Sequence, residues 1–400
     1  MSSKPHIAIL GAGPTGLEAA LAAHEHGYPF TLYEAAPAVS DYVRAWGHVR
    51  LFSPWSLDVS PRARAVLETA GHRLPAVDSG ECPTGAELCD RVYDALAELP
   101  PVAENLRLGV KVRAVSRERL LKSDEIGTGR RTGRPFRLLL ADGAGHEWTE
   151  AARVVLDTTG TYGQPNATGD GGIPAPGEGS LGSLVERRIP DVLGHPEGWA
   201  DRTTLIVGNG HSAQTALVDL ARLAERHPRT RVVWALRDPE PSWPVDPDDP
   251  LPGRSGLVAR ARDLAHGGSP VVETLTGVVV DRFERKNGGV EVSLRAAGGT
   301  ANGVEVDRIL SLTGFVGDHM LYRQLQVHEC YATSGPMKLA AALLGESSSD
   351  CLAQTSHGAD TLVNPEPGFF ILGSKSYGRN TTFLLRLGWE QVDEVFRLLG

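Results

Sequence analysis

The chain opens on a short apolar run, residues 7–10 (Ile-Ala-Ile-Leu), that stops at a cluster of glycines. A run that is apolar at every position predicts a strand buried on both faces, as in a covered parallel sheet. Gly11-Ala12-Gly13-Pro14-Thr15-Gly16 follows, and then an Ala-rich stretch, residues 17–26, that predicts a helix closed by Gly27. Residues 30–33 predict a second strand, ending at Glu34. The same order returns about 195 residues later. Residues 203–207 predict a strand, Gly208-Asn209-Gly210-His211-Ser212-Ala213 a turn, and residues 214–227 a helix halted before Pro228. Residues 231–236 predict the next strand, with Arg237 at its end. Two further apolar runs end in Thr-Gly, one on Thr158-Thr159-Gly160 and one on Thr313-Gly314. Near the C-terminus, residues 368–373 predict a buried strand, 374–379 a turn and 382–399 an amphipathic helix.

This pattern predicts an α/β chain with two Rossmann-like dinucleotide-binding domains. In the first turn, Gly11 permits the tight bend, Gly13 lets a pyrophosphate approach the backbone, and Gly16 lets helix and strand pack closely. Pro14 and Thr15 open the helix, whose N-terminus favours negative charge. Glu34 follows Gly13 by about 20 residues, where a carboxylate accepts hydrogen bonds from ribose hydroxyls. In the second turn Gly208 and Gly210 take the same places, with Ala213 in the third glycine position. An arginine at the place of Arg237 can pair with a 2′-phosphate, which favours NADPH over NADH. Asp238 beside it, and a plain solvated strand end, are the alternatives.

Length changes the picture little. A chain of 400 residues is too long for one core and predicts two or three domains. A hydrophobic fraction of 41% with 22% charged residues is ordinary for a soluble protein, so the many Gly (46) and Pro (27) mark tight loops rather than disorder. The formal charge of -9 and the lack of a long basic run argue against nucleic acid. No apolar run reaches the ~18 residues of a membrane span, and the first is too short for a signal-peptide core, so a cytoplasmic protein is expected. Cys82, Cys89, Cys330 and Cys351 show no C-x-x-C spacing, which excludes a zinc ribbon and a thioredoxin-like dithiol and predicts free thiols. Asp246, Asp248 and Asp249 lack EF-hand spacing, and His328 with Cys330 does not complete a ligand set, so no metal is expected.

With GAGPTG and Glu34, GNGHSA and Arg237, the DTTG and SLTG connectors and the C-terminal GFFILGSKSYGRNTTFLLRLGWEQV in place, the sequence resembles the two-dinucleotide-binding flavoprotein superfamily, and within it the class B flavin monooxygenases. The resemblance covers nearly the whole chain. It implies FAD on the first fold, NADPH on the second, and an NADPH domain inserted into a discontinuous FAD domain. The corresponding boundaries are 1–165, 166–305 and 306–400. It marks Gly208, Gly210, Ser212 and Ala213 as the nicotinamide turn, and His211 within that turn is counted with the cofactor-binding residues. It also implies that the Val112 backbone meets the adenine end of FAD, that the strand and turn carrying Ser376 and Tyr377 pass under the flavin, and that the last helix points its N-terminus at the pyrimidine edge. Thr159, Gly160 and Gly314, at the two Thr-Gly ends, are counted with the cofactor-binding residues. The F-x-G-x-x-x-H fingerprint of the branch is absent, and Gly171-Gly172-Ile173-Pro174-Ala175-Pro176-Gly177-Glu178 stands in its place, so the likeness is to an atypical bacterial branch.

The stretch from Trp46 to Trp55 crosses the flavin in related flavoproteins. Its aromatics can pack on the isoalloxazine, and Ser53 can add a polar contact. A structural loop filling a core gap is the alternative. His48 and Arg50 are the candidate catalytic residues. Residues 124–134 read as a polar hairpin loop. Residues 239–252, rich in proline and aspartate, read as a loop and not a helix.

The implied activity is oxygenation of a small molecule, at nitrogen or sulfur, by an FAD- and NADPH-dependent monooxygenase through a flavin peroxide, with molecular oxygen as co-substrate. An NAD(P)H-dependent flavin reductase without oxygen insertion and a flavin-bound redox sensor are the alternatives. A homodimer is compatible with the sequence and not required by it.

Overall fold

A computed structural model describes residues 4–245, 249–286, 288–296, 298–299, 301–345 and 356–400. Asp246, Asp248 and Cys351 lie outside the described residues. The chain divides into two units, Met1–Gln164 with Val316–Gly400, and Pro165–Phe315. The first is discontinuous and the second is inserted into it.

Seven strands of the first unit precede the insertion: β1 (Ile7–Leu10), β2 (Phe30–Glu34), β3 (Leu106–Leu108), β4 (Val110–Arg117), β5 (Phe136–Asp142), β6 (Glu147–Ala152) and β7 (Val154–Asp157). Phe369–Ile371 follows it. The main sheet is parallel, in the order Phe369–Ile371, β7, β1, β2, β3, while β4, β5 and β6 form an antiparallel sheet. β1 is central and buried on both faces. Ile7 and Ile9 enter a core with Leu17 of the first helix and Val392 and Phe396 of the last. Ala8 and Leu10 enter another with Val115, Phe136 and Leu138 of the antiparallel sheet. Helices therefore cover one face and a second sheet the other, and this is why the run at 7–10 shows no alternation.

The inserted unit repeats this plan with β8 (Val185–Glu186), β9 (Thr203–Val207), β10 (Arg231–Leu236), β11 (Val272–Thr276), β12 (Val278–Lys286), β13 (Gly289–Ala296), β14 (Ala301–Val306) and β15 (Arg308–Ser311). The parallel order is β11, β10, β9, β15, β8, with β12 to β14 antiparallel. Trp234 and Leu236 face one core with the helix His211–Arg226, while Val233 and Ala235 face the other with Val292 and Leu294.

Residues 306–315 sit in the inserted unit and not, as the sequence boundary at 305/306 places them, with the C-terminal part. The reason is pairing: Ile309 and Leu310 lie beside Leu205 and Ile206 in the second sheet and are fully buried there. Both helices that follow the glycine turns start earlier than the pattern at 17 and 214 suggests, at Pro14 and His211. The glycine turns themselves contribute the first helical turn, and proline is suited to that position because its φ is already helical. The last helix runs Leu385–Leu399 and starts later than 382, because Leu384 is extended.

Residues 124–134, read as a polar loop, hide a buried ion cluster. The carboxylate of Glu366 accepts from Arg117 Nε at 2.6 Å, Arg131 Nη2 at 2.7 Å and the Gln326 N–H at 2.9 Å. All three charged side chains are at most 1% exposed. In the inserted unit, Glu178 performs a similar service. It accepts from the Thr168 and Ala175 N–H groups and from Arg187, and so anchors the stretch that replaces the missing fingerprint.

Candidate functional site

The three glycines of the first turn divide into two kinds. Gly11 has φ +96, and a Cβ there would lie 3.0 Å from Thr158 O. A Cβ on Gly16 would lie 1.9 Å from Gly11 O. Both positions are closed by backbone, and only glycine fits. A Cβ on Gly13 would meet nothing within 4 Å, so this turn is open at the place where the sequence puts a pyrophosphate. Gly13 caps the helix Pro14–Glu25 without a side-chain hydrogen bond, leaving the first N–H groups for an anion. Thr158 holds the turn to β7, donating from Oγ1 to Leu10 O at 2.8 Å and Gly11 O at 2.9 Å.

Glu34 closes β2 beside this turn. Its carboxylate accepts from the Ala12 N–H at 2.8 Å and the Ala36 N–H at 2.9 Å. Burial pushes its carboxyl above the usual value, and these two N–H bonds pull it back.

Gly13, Pro14, Thr15 and Glu34 line a cavity of ≈ 510 Å³ formed within the first unit. This is the size of a cofactor pocket. Of the residues expected at the FAD site, Gly11, Trp46, Ser53, Val112, Thr159 and Gly160 line it as well. Gly16 packs beneath the turn. Ser376 and Tyr377 are buried below the lining, with Ser376 Oγ donating to Gly373 O at 2.8 Å and Tyr377 edge-on to Phe383. His48 and Arg50 are exposed and not among the lining residues, and Arg50 pairs with Glu87 at 3.6 Å. Gly314 has φ +86 and belongs to the inserted unit, where its carbonyl accepts from the Asn166 N–H at 2.9 Å.

Asp58 and Tyr93, which escaped the sequence reading, line the cavity, as do Gly373, Ser374, Leu384 and Leu385 of the C-terminal strand end, turn and helix start. The one available signal is Asp58 itself, a carboxylate set between Leu57 and Val59. The turn after β7 is further fixed from below. Lys375 Nζ, fully buried, donates to Asp157 Oδ2 at 2.6 Å and Thr159 Oγ1 at 3.1 Å.

The lining suits a flavin dinucleotide. Trp46 Nε1, Asp58 Oδ2 and Tyr93 Oη are buried without a hydrogen-bond partner among the described residues. Orphaned polar atoms of this kind are rare in a finished core and common where a ligand completes them. Phe383, Leu384 and Leu51 supply apolar surface that excludes water from the same space.

The inserted unit repeats the turn. Gly208 has φ +120, and a Cβ there would lie 2.3 Å from Leu312 O, whereas a Cβ on Gly210 would meet nothing within 4 Å. Gly208 thus packs on the second Thr-Gly connector as Gly11 packs on the first. Ala213 is fully buried in the third position. Trp234 Nε1 donates to Gly208 O at 2.8 Å and holds the bend. His211 and Ser212 are exposed at the helix start, and Arg237 is exposed after β10. Asn209 Oδ1 and Gln214 Oε1 are buried there without partners among the described residues.

With both turns defined, the chain is seen to have the two-dinucleotide-domain fold of the FAD- and NAD(P)H-linked flavoenzymes. No model of a known protein family matches the chain. Over 167 residues it is 33% identical to a protein of Arthroderma benhamiae named "Probable FAD-dependent monooxygenase", a match that spans 40% of this chain and 32% of that protein. The match thus reaches about a third of that relative's length. Among solved structures, the bacillithiol disulfide reductase of Bacillus cereus is similar over 99% of both chains, with a TM-score of 0.72 and 17% identity. The cadaverine monooxygenase of Erwinia amylovora, solved with FAD, is similar over 100% of this chain and 95% of its own, with a TM-score of 0.68 and 14% identity. The ornithine hydroxylase of Pseudomonas aeruginosa is similar over 99% of this chain and 98% of its own, with a TM-score of 0.67 and 17% identity. At the level of fold, these findings bear out the flavoprotein resemblance read from the glycine turns.

Cys82, Cys89 and Cys330 are free thiols, and none lines the cavity. Among the described residues, no group of side chains could hold a metal ion, and no helix is long and apolar enough to cross a membrane.

Proposed function

We propose that the chain is an FAD-dependent, NADPH-consuming monooxygenase that oxygenates a small molecule, at nitrogen or sulfur. The observation that carries this reading is the open Gly13 turn and capless helix start, which share one cavity with Glu34 and with three orphaned polar atoms. Bound FAD supplies the electron storage and the oxygen chemistry. The chain does the rest. The N–H groups at the start of Pro14–Glu25 bind the pyrophosphate, and Glu34 accepts from ribose hydroxyls. Trp46, Asp58 and Tyr93 orient the remaining part of the cofactor, and Phe383, Leu384 and Leu51 exclude water. The Gly208–Ala213 turn takes the nicotinamide dinucleotide in the same manner.

The test is the purified protein loaded with FAD and given NADPH without oxygen, followed by admission of oxygen and a panel of small amines and thioethers. NADPH should bleach the oxidised flavin band, and one class of substrate should gain oxygen in proportion to the NADPH consumed. A flavin that NADPH fails to bleach would remove the reading. The fold likeness to a disulfide reductase favours a second one, an NAD(P)H-dependent reductase without oxygen insertion. Its signature is steady NADPH use that ends entirely in hydrogen peroxide or a reduced acceptor.

Arg237 is assigned the 2′-phosphate. Arg237→Ala should raise the KM for NADPH roughly tenfold, the worth of one charge-assisted pair, and leave that for NADH nearly unchanged. Steady-state kinetics with both nicotinamides measure this, and equal effects on the two would end the assignment.

A further inference from the structure

Asp58 sits at the C-terminal end of the short helical turn Trp55–Asp58, with 5% of its surface exposed. Its Oδ1 accepts from Ser53 Oγ at 2.7 Å, and its Oδ2 is buried with no partner among the described residues. No lysine or arginine pairs with it among the described residues. Tyr93 is 3% exposed, and its Oη is likewise buried without a partner. Both residues line the large cavity. Both also line a smaller one of ≈ 20 Å³ that shares Pro14, Thr15 and Leu385 with it. The pair therefore stands at the start of the nucleotide helix, where a ligand lying on Gly13 continues into the cavity.

A carboxylate placed here would lack both water and a cation. Burial pushes the Asp58 carboxyl up to about 7, against a smaller pull from the Ser53 hydroxyl. Below that value the group is the neutral acid. Oδ1 accepts the hydrogen bond from the Ser53 hydroxyl, so the acid's own hydrogen lies on Oδ2 and needs an acceptor. Burial also holds the Tyr93 phenol neutral. Two O–H donors with no acceptor among the described residues call for a ligand that presents acceptor atoms.

We propose that Asp58, as the neutral acid, and Tyr93 form a donor pair that grips acceptor atoms of the bound FAD, so that FAD retention is coupled to a proton on Asp58 and weakens when that proton leaves. The proposal rests on the reading that FAD occupies this cavity. Ionised Asp58 is acceptor-only and faces the cofactor's acceptors with negative charge. The groups facing Asp58 do not replace it. Cys82 is a thiol whose ionisation burial disfavours, Glu18 on the wall of the smaller cavity is tied to Ser60 and Arg62, and Leu385 and Trp389 of the last helix are uncharged.

The experiment is titration of the full-length apoprotein with FAD, followed by flavin fluorescence and calorimetry at pH 6, 7 and 8 and constant ionic strength. If FAD binds only the protonated form, its Kd rises about tenfold from pH 6 to pH 8. Asp58→Asn keeps a donor at every pH and should abolish the slope. Tyr93→Phe should weaken FAD at every pH and leave the slope intact. Circular dichroism of each variant confirms that it is folded. A Kd that is the same at pH 6 and 8 in the natural protein, or a slope that survives in Asp58→Asn, overturns the proton coupling while leaving the cofactor reading standing. Absence of FAD binding at all three pH values overturns both.

Discussion

Gly13→Val is expected to give a folded protein that no longer holds FAD. The backbone at Gly13 has φ -80 and ψ -174, an extended conformation open to any residue. A Cβ there meets no protein atom within 4 Å, so the apoprotein should lose less than about 1 kcal/mol. The branched side chain would instead fill the space a pyrophosphate needs and hold it off the helix N–H groups. FAD affinity should fall by a hundredfold or more, roughly 3 kcal/mol. The measurement is flavin absorbance of the purified variant beside its unfolding curve. Gly16→Val is the contrasting substitution, because its Cβ would collide with Gly11 O at 1.9 Å, so it should damage the fold itself. A Gly13→Val protein that purifies with one FAD per chain would remove the pyrophosphate from this turn.

Glu366→Gln should be the most destabilising change remote from the cavity lining. The amide keeps the shape and removes the charge that two buried guanidiniums share. Loss of one partner from a buried ion cluster costs about 3–5 kcal/mol, because the remaining charges have no water. Carbonyl groups soften this only in part: Arg117 also donates to Arg134 O at 2.7 Å, and Arg131 to Asp124 O at 2.9 Å. Urea unfolding measures the change, and a loss under about 1 kcal/mol would mean that the cluster is not ionised. The cluster also sets an acid limit. Burial alone would raise the Glu366 carboxyl, but the Arg131 and Arg117 hydrogen bonds outweigh it and hold it below its usual value. A lowered carboxyl contributes stability that is present above its unfolded value and lost as pH falls through the folded one. The natural protein should therefore lose stability below about pH 4.5, and the variant should lack that step.

The chain sequence by itself determined the two glycine turns, their strands and helices, the acid at Glu34 and the inserted order of the units. These features are local. The tight bend, the open glycine and the helix start are encoded in six adjacent residues, and the buried parallel strands show as unbroken apolar runs whatever lies elsewhere. The sheet to which residues 308–311 belong was decided by tertiary structure, because a short apolar run pairs with whichever edge buries it. So was the fate of polar residues far apart in the chain. Arg131 looks like loop and Glu366 like surface until the fold brings together positions 235 apart in the chain, and Lys375 looks like turn until Asp157 neutralises it. His48 and Arg50 had the right chemistry for a site, but their segment leaves them exposed, while Asp58 a few residues on is carried inward. Side-chain type tells what a residue can do. Burial, which depends on the whole fold, decides whether it keeps water, finds a partner, or waits for a ligand.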